Sequence, residues 1–296
     1  MARPIVILSD LHLGRRRGAA RCAEALRPLW DGADHLIING DVAEVHHPKH
    51  WTVAARQTLR LFDLCESDGV DLTLLSGNHD PFITDLRHLH LAGGAVFVTH
   101  GDVLHPAVSP WSPAAGRMRA ANEAALAALE PEQRGDLEAR LSATQHAAYA
   151  EWHDIQRLAE EARHSTITGM LIRPWALLKV IAYWNAFPPL AAEFAAEHAP
   201  AARFVVLGHT HRAGVWEFDD RIIINTGSFG FPGTPRAVLV EDGTLSVWGI
   251  RHRRGAYRRD ERPHRVFTLP AISEAPPALP RAARDEIAQR LFTASG

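Results

Sequence analysis

Five short stretches of the chain bring together residue types that can bind metal and move protons. They are Asp10 and His12 in SDLHLG, Asp41 in NGD, Asn78, His79 and Asp80 in GNHD, His100 and Asp102 in THGD, and His209 and His211 in GHTH. Any one of them is ordinary. Asp-x-His caps loops, Gly-Asn-His-Asp is built of turn residues, and a lone buried histidine is more often a satisfied core residue than a ligand. As a set they differ, because each stands where an apolar run gives out, beside a glycine or a second polar residue. Carboxylate and amide oxygens mixed with imidazole nitrogens suit Mn, Fe, Zn, Co or Ni rather than Mg or Ca alone. The donors also exceed what one ion needs, and an aspartate shared by two ions about 3.5–4 Å apart accounts for the excess.

The elements that must position these residues can be read from the apolar pattern. Residues 1–100 alternate strand and helix: PIVILS, a helical stretch near 19–30, HLIIN, a helix over 49–67, VDLTLLS, a short helix near 82–90, and AVFVTH. Buried strands separated by helices imply βαβ units and a sheet covered by helices, with ligands beyond the carboxyl ends of its strands. That sheet is expected to bring all five strand ends to one rim. Asp10 and His12, two positions apart on an extended segment, converge on one side, as do His209 and His211 unless their loop bends them apart.

Three segments follow from changes in composition. Residues 1–104 and 201–250 form an α/β core, and residues 105–200 read as an alanine-rich helical insertion. Its second half carries Trp175, Leu177, Leu178, Val180, Ile181, Tyr183, Trp184 and Phe187, apolar nearly all round, which fits the core of a cap, an acyl-chain groove or a membrane-surface contact through residues 171–190. Residues 251–296 are an Arg/Pro-rich extension with a short helix near 281–293, either partly disordered or crossing back over the body, and a solvated tail is preferred to a phosphate- or lipid-attracting patch.

Composition narrows the class of protein. With 32 basic and 34 acidic side chains in 296 residues, there is no basic excess to indicate nucleic acid. Two cysteines, both in segments that read as helical, give no disulfide framework and fit a reducing compartment. The start, MARPIVILSD, runs straight into a strand without the apolar region of a signal peptide. No apolar run approaches the roughly 18 residues of a membrane span. A cytoplasmic protein, with membrane association as a possible addition, is the expectation.

The ordered series SDLHLG, NGD, GNHD, THGD and GHTH resembles the calcineurin-like metallophosphoesterase superfamily, in which such motifs build a dinuclear site. The resemblance spans residues 5–230 apart from the insertion. It implies a four-layer αββα sandwich of two mixed sheets with a helical insertion. By position, Asp10, His12 and His211 would hold one divalent ion, Asn78, His100 and His209 a second, and Asp41 would bridge them, with manganese the first choice of metal. It further implies a bridging hydroxide that attacks phosphorus in line, and His79 as general acid to the leaving group. Asp80 is then expected to hold the His79 imidazole, and Gly77 to let the backbone turn sharply beneath the ions.

Other roles stay open at this level. Asp102 is either a partner to the site near its mouth or part of a turn. Arg15, with Arg16 and Arg17, either reaches a substrate phosphate or lies in a solvated loop, and Asn225 in NTGSFGFPG supports the site. The layout, with HGD, a helical insertion and then GHTHR, is most similar to the UDP-2,3-diacylglucosamine pyrophosphohydrolases, which implies a nucleotide-sugar lipid or another small phosphoester as substrate. Those enzymes typically carry arginine where this chain has His79. The alternatives are a nuclease or cyclic-nucleotide phosphodiesterase of the same superfamily, or a non-catalytic metal-binding scaffold.

Overall fold

The computed structural model describes residues 4–15, 20–46, 48–158, 174–230, 233–241, 243–270 and 278–293. In chain order come β1 (Ile5–Leu8), the one-turn helix α1 (Ala23–Leu26), β2 (His35–Asn39), α2 (Pro48–Asp68), β3 (Asp71–Leu75), β4 (His88–Leu91) and β5 (Val96–Thr99). Three helices follow: α3 (Ala115–Ala127), α4 (Leu137–Leu158) and α5 (Pro174–His198). The chain then forms β6 (Phe204–Leu207), β7 (Gly214–Glu217), β8 (Ile222–Asn225), β9 (Arg236–Glu241), β10 (Thr244–Arg253), β11 (Ala256–Arg259), β12 (Arg265–Thr268) and α6 (Arg284–Thr293). The strands make two mixed sheets. The first runs β11-β10-β9-β1-β2-β3 with β12 also on β10, and the second runs β4-β5-β6-β8-β7.

Side-chain alternation explains the layering. On β1 and β2, Val6, Leu8, Leu36 and Ile38 face outward onto Leu61, Phe62 and Cys65 of α2, in one buried cluster. Ile7 and Ile37, between them in sequence, face inward and meet Val98, Phe204, Val206 and Ile224 of the second sheet. The outer face of that sheet, with Phe97, Val205, Leu207 and Ile223, packs on Tyr183, Phe187, Ala191 and Phe194 of α5. Strands covered on both faces need unbroken apolar runs rather than alternating ones, as HLIIN and RFVVLG have. The result is helix, sheet, sheet, helix, the four-layer αββα sandwich of two mixed sheets.

Several expectations change. Residues 82–90 are not a short helix: His88–Leu91 is the edge strand β4, antiparallel to β5, and its His-Leu-His-Leu pattern has the period of two that a strand requires. The strand ends do not share one sheet. Those of β1, β2 and β3 come from the first and those of β5 and β6 from the second. The greasy helix is buried on one side only. Val180, Tyr183 and Phe187 are buried, whereas Leu177, Leu178 and Ile181 are exposed; the side chain of Trp175 lies outside the described residues.

The segment after residue 250 is also no solvated tail. Strand β10 continues through Arg253, and β11 and β12 both pair with it. Helix α6 docks on α2: Ile287 and Leu291 are buried, and the Trp51 indole N–H donates to the Leu291 carbonyl at 2.7 Å. Arg290 reaches Asp85 and Arg284 reaches Asp63 at 2.7 and 2.8 Å. Both cysteines are free, and burial pushes the Cys65 thiol up to about 12. No helix among the described residues is long and apolar enough to cross a membrane.

Because Leu291 is fully buried against α2, Leu291→Ala is expected to lower unfolding free energy by about 2–5 kcal/mol in urea titration. A change within experimental error would mean that α6 is not part of the folded core.

Candidate metal centre

The site assembles on loops just beyond five strands. Past β1 and β2 the loops run side by side, with Asp10 N–H donating to Gly40 C=O at 3.1 Å and His12 N–H to Asp41 C=O at 2.9 Å. Asp10, His12, Asp41, His209 and His211 all have left-handed backbone, with φ of 52, 47, 53, 67 and 60°. For non-glycine residues that conformation is uncommon and concentrates at functional sites. The side chains therefore converge through kinked loops, not through the alternation of an extended strand.

One half of the site gathers Asp10, His12, Asp41 and His211, whose potential ligand atoms all lie within 4.8 Å of one another. His211 Nε2 stands 3.3 Å from Asp10 Oδ1 and 3.0 Å from His12 Nε2. In the other half, His209 Nδ1 lies 2.8 Å from Asn78 Oδ1 and the His100 and His209 rings are 5.4 Å apart. His209 and His211, expected together unless their loop bent, are divided between the halves. Asp41 joins them: its Oδ2 is 3.7 Å from His12 Nε2 and 3.5 Å from His100 Nε2, and its Oδ1 accepts the His79 N–H at 2.9 Å.

The hydrogen bonds limit which nitrogens are free. His100 Nδ1 lies 2.9 Å from the Asn39 carbonyl and must donate to it, which leaves Nε2 buried without a hydrogen-bond partner and aimed at Asp41. Both His209 nitrogens face oxygens that can only accept, Nε2 at 3.1 Å from the Val108 carbonyl and Nδ1 at 2.8 Å from Asn78 Oδ1, and a neutral ring can donate to only one of them, which leaves a lone pair against the other. Lone pairs that face carboxylate and amide oxygens repel unless a positive charge lies between them. Burial disfavours a proton there: it lowers His12, and with help from the His100 charge it brings His209 down to about 4. At His100, burial is outweighed by the Asp41 carboxylate, and the pKa rises to about 10. The donors fit divalent cations that prefer mixed nitrogen and oxygen ligands.

His79 sits at the mouth with 26% of its side chain exposed. Its partner is Glu44, not Asp80: His79 Nδ1 is 3.1 Å from Glu44 Oε1, and the other oxygen of this buried glutamate lies 3.4 Å from His12 Nδ1. Burial alone would lower His79, but Glu44 and Asp41 outweigh it and lift the imidazolium to about 9. Asp80 turns the other way and accepts N–H bonds from Gly77, Ala43 and Asp41 at 2.8, 3.0 and 3.2 Å, so it braces the Asp41 loop. Burial and the Asp41 charge raise its pKa to about 7 against those N–H groups. Gly77 does not have left-handed backbone. A Cβ there would stand 2.1 Å from Asp41 Oδ1, so the glycine is needed for space rather than for a sharp turn.

The remaining candidates divide. Arg15 reaches Glu44 at 3.6 Å and is partly exposed at the mouth; Arg16 and Arg17 lie outside the described residues. Asp102 is not at the mouth but fully buried, in an ion pair with Arg87 at 2.7 Å. Asn225 is also fully buried, donating to Gly208 C=O at 2.6 Å and to Thr210 Oγ1 at 3.1 Å, and so holds the GHTH turn rather than touching a ligand. Glu44 was missed although it stands three residues after Asp41. The Val108 carbonyl, on a β-branched residue with φ 54°, leaves no sequence signal at all.

Residues 3–213 match the family of calcineurin-like phosphoesterases, and the chain belongs to that family. Among curated proteins none matches it. Solved structures similar in fold include a predicted phosphoesterase from Streptococcus pneumoniae, with 15% identity over 88% of this chain and 99% of the other and a TM-score of 0.37. Others are Vps29 from Chaetomium thermophilum (13%, 91% and 100%, 0.44) and the phosphoesterase Yfce from E. coli (15%, 90% and 100%, 0.41).

Since a methyl group on residue 77 collides with the Asp41 carboxylate, Gly77→Ala is expected to lower metal affinity at least tenfold, the scale of an outer-shell lesion. Calorimetric manganese titration checks this, and unchanged affinity would show that Asp41 does not need its present position.

Proposed function

We propose that this chain hydrolyses a phosphoester bond with two divalent ions held on either side of Asp41. The observation that carries the reading is the single Asp41 oxygen lying between a histidine of each half, 3.7 Å from His12 Nε2 and 3.5 Å from His100 Nε2. Asp10, His12 and His211 would hold one ion, and Asn78, His100 and His209 the other. Bound there, such ions lower the pKa of water and neutralise charge on phosphoryl oxygens during in-line displacement. Manganese is the first candidate metal.

The protein's own groups do the rest. Glu44 holds His79 Nδ1 at 3.1 Å, which leaves Nε2 as the nitrogen that can give a proton to the departing oxygen. Asp80 holds the Asp41 loop through two of its backbone N–H groups, those of Asp41 and Ala43, and Asn225 holds the turn that carries His209. Arg15 is the residue we read as meeting a substrate phosphate, which its partial exposure beside Glu44 supports. The substrate class we favour is a phosphodiester or pyrophosphate, with a nucleotide-sugar lipid as the leading case. The exposed apolar turn of α5 supports this, because the ring of Tyr183 on the same helix lies 6.4 Å from that of His209.

Manganese-dependent hydrolysis of bis(p-nitrophenyl) phosphate tests the reading, and a metal-loaded protein without turnover would leave the scaffold alternative standing. His79→Ala is expected to lower kcat by about 10²–10⁴ on esters with poor leaving groups and far less on nitrophenyl esters. Glu44→Gln is expected to cost about 10–100-fold with the same dependence on leaving group. Losses independent of the leaving group would contradict the acid role of His79.

A further inference from the structure

The arginines after residue 250 form an ordered face. In the β10–β11 hairpin, Ile250 pairs with Arg259, Arg251 with Arg258, His252 with Tyr257 and Arg253 with Ala256. Cross-strand partners share a side, and so do residues two apart, which puts Arg251, Arg253 and Arg258 on one face. Ile250 and Tyr257, on the other face, are buried in the core. Arg251 and Arg258 are like charges directly opposite one another, a destabilising arrangement without a counter-charge. Arg251 has Asp260 at 2.7 Å. Arg253, Arg254 and Arg258 are exposed, with no side-chain hydrogen bond or ion pair among the described residues.

This face stands at the rim of the metal centre. Strand β9 is antiparallel to β1 and to β10, so β10 runs with β1. Ile7 and Val247 are level, each paired with Val238. Arg253, six residues beyond Val247, therefore projects roughly 15 Å past the end of β1 at Leu8, at about 3.3 Å per residue. Tyr257 packs at 5.0 Å on Phe229, whose N–H donates to the Asp10 carbonyl.

On the second sheet a different feature projects past the same edge. Phe187 of α5 lies against Gly101, just after β5, while the helix ends near the start of β6. Its residues 177–181 accordingly reach roughly 10–15 Å beyond that edge, at about 1.5 Å per residue. Leu177, Leu178 and Ile181 there are 54, 67 and 44% exposed.

We propose that this rim docks on an anionic phospholipid surface, with the arginine face of β10–β11 meeting phosphates and the α5 turn entering the interface. Arginines alone fit any polyanion. The exposed aliphatic residues at the same edge select a lipid surface, where charge and apolar burial act together. The docking does not depend on the phosphoesterase reading.

Sedimentation of the full chain with vesicles of phosphatidylcholine, with and without phosphatidylglycerol, tests it. Binding only to the anionic vesicles, weakened by salt, is expected. Arg251→Ala, Arg253→Ala and Arg258→Ala together should weaken it roughly a hundredfold. Leu177→Asn, Leu178→Asn and Ile181→Asn together should also weaken it, while hydrolysis of a soluble diester by the arginine variant stays at the wild-type level. Equal binding to both kinds of vesicle, wild-type binding by either variant, or arginine-dependent retention on nucleic acid without vesicle binding would overturn the proposal. An inactive protein that still sediments with anionic vesicles would count against the phosphoesterase reading alone.

Discussion

The structure turns on one buried carboxylate oxygen. Asp41 Oδ2 lies between imidazoles that arrive from different sheets, His12 beyond β1 and His100 beyond β5. Unpaired, such a charge costs several kcal/mol in a protein interior. Burial alone would raise the Asp41 carboxyl, but the positive charges of His100 and His79 outweigh it and hold the group well below the ordinary carboxylate range. The two sheets have to stack so that their carboxyl ends face the same opening, and the inward layer of Ile7, Ile37, Val206 and Ile224 sets that stacking.

Local backbone bears the consequence. Five ligand-type residues have left-handed φ, and Gly208 leaves room for Asp10, since a Cβ there would meet its Oδ2 at 2.3 Å. These conformations persist because other groups over-determine them: Asp80 braces the Asp41 loop, Asn225 the GHTH turn, and Val108 the His209 ring. Insertion residues thus take part in holding the candidate site. Trp152 of α4 likewise donates to the Val45 carbonyl, tying the insertion to the loop that carries Glu44.

The parts of the centre that depend on residue type at a strand end were legible in the sequence. Asp10, His12, Asp41, Asn78, His100, His209 and His211, each ordinary alone, could be singled out only as an ordered set at successive strand ends and by the family resemblance that set carries. Partnerships across the chain were not legible. Glu44 rather than Asp80 meets His79, and Arg87 meets Asp102, because side-chain direction depends on loop dihedrals that no periodicity reports. The edge strand β4 was mistaken for a helix since four residues carry little period. For the arginine segment, charge favoured a solvated tail over a return across the body, because Ile250 and Tyr257, which seat the hairpin, are too far apart in sequence to read as one apolar face.

The central claim, one carboxylate serving two cations, is tested most directly by counting tightly bound manganese per chain in the wild type and in Asp41→Asn. A bridging Asp41 predicts two ions in the wild type and weakened binding of both in the variant. A wild type that saturates with one ion, or a variant that keeps two at undiminished affinity, would contradict it.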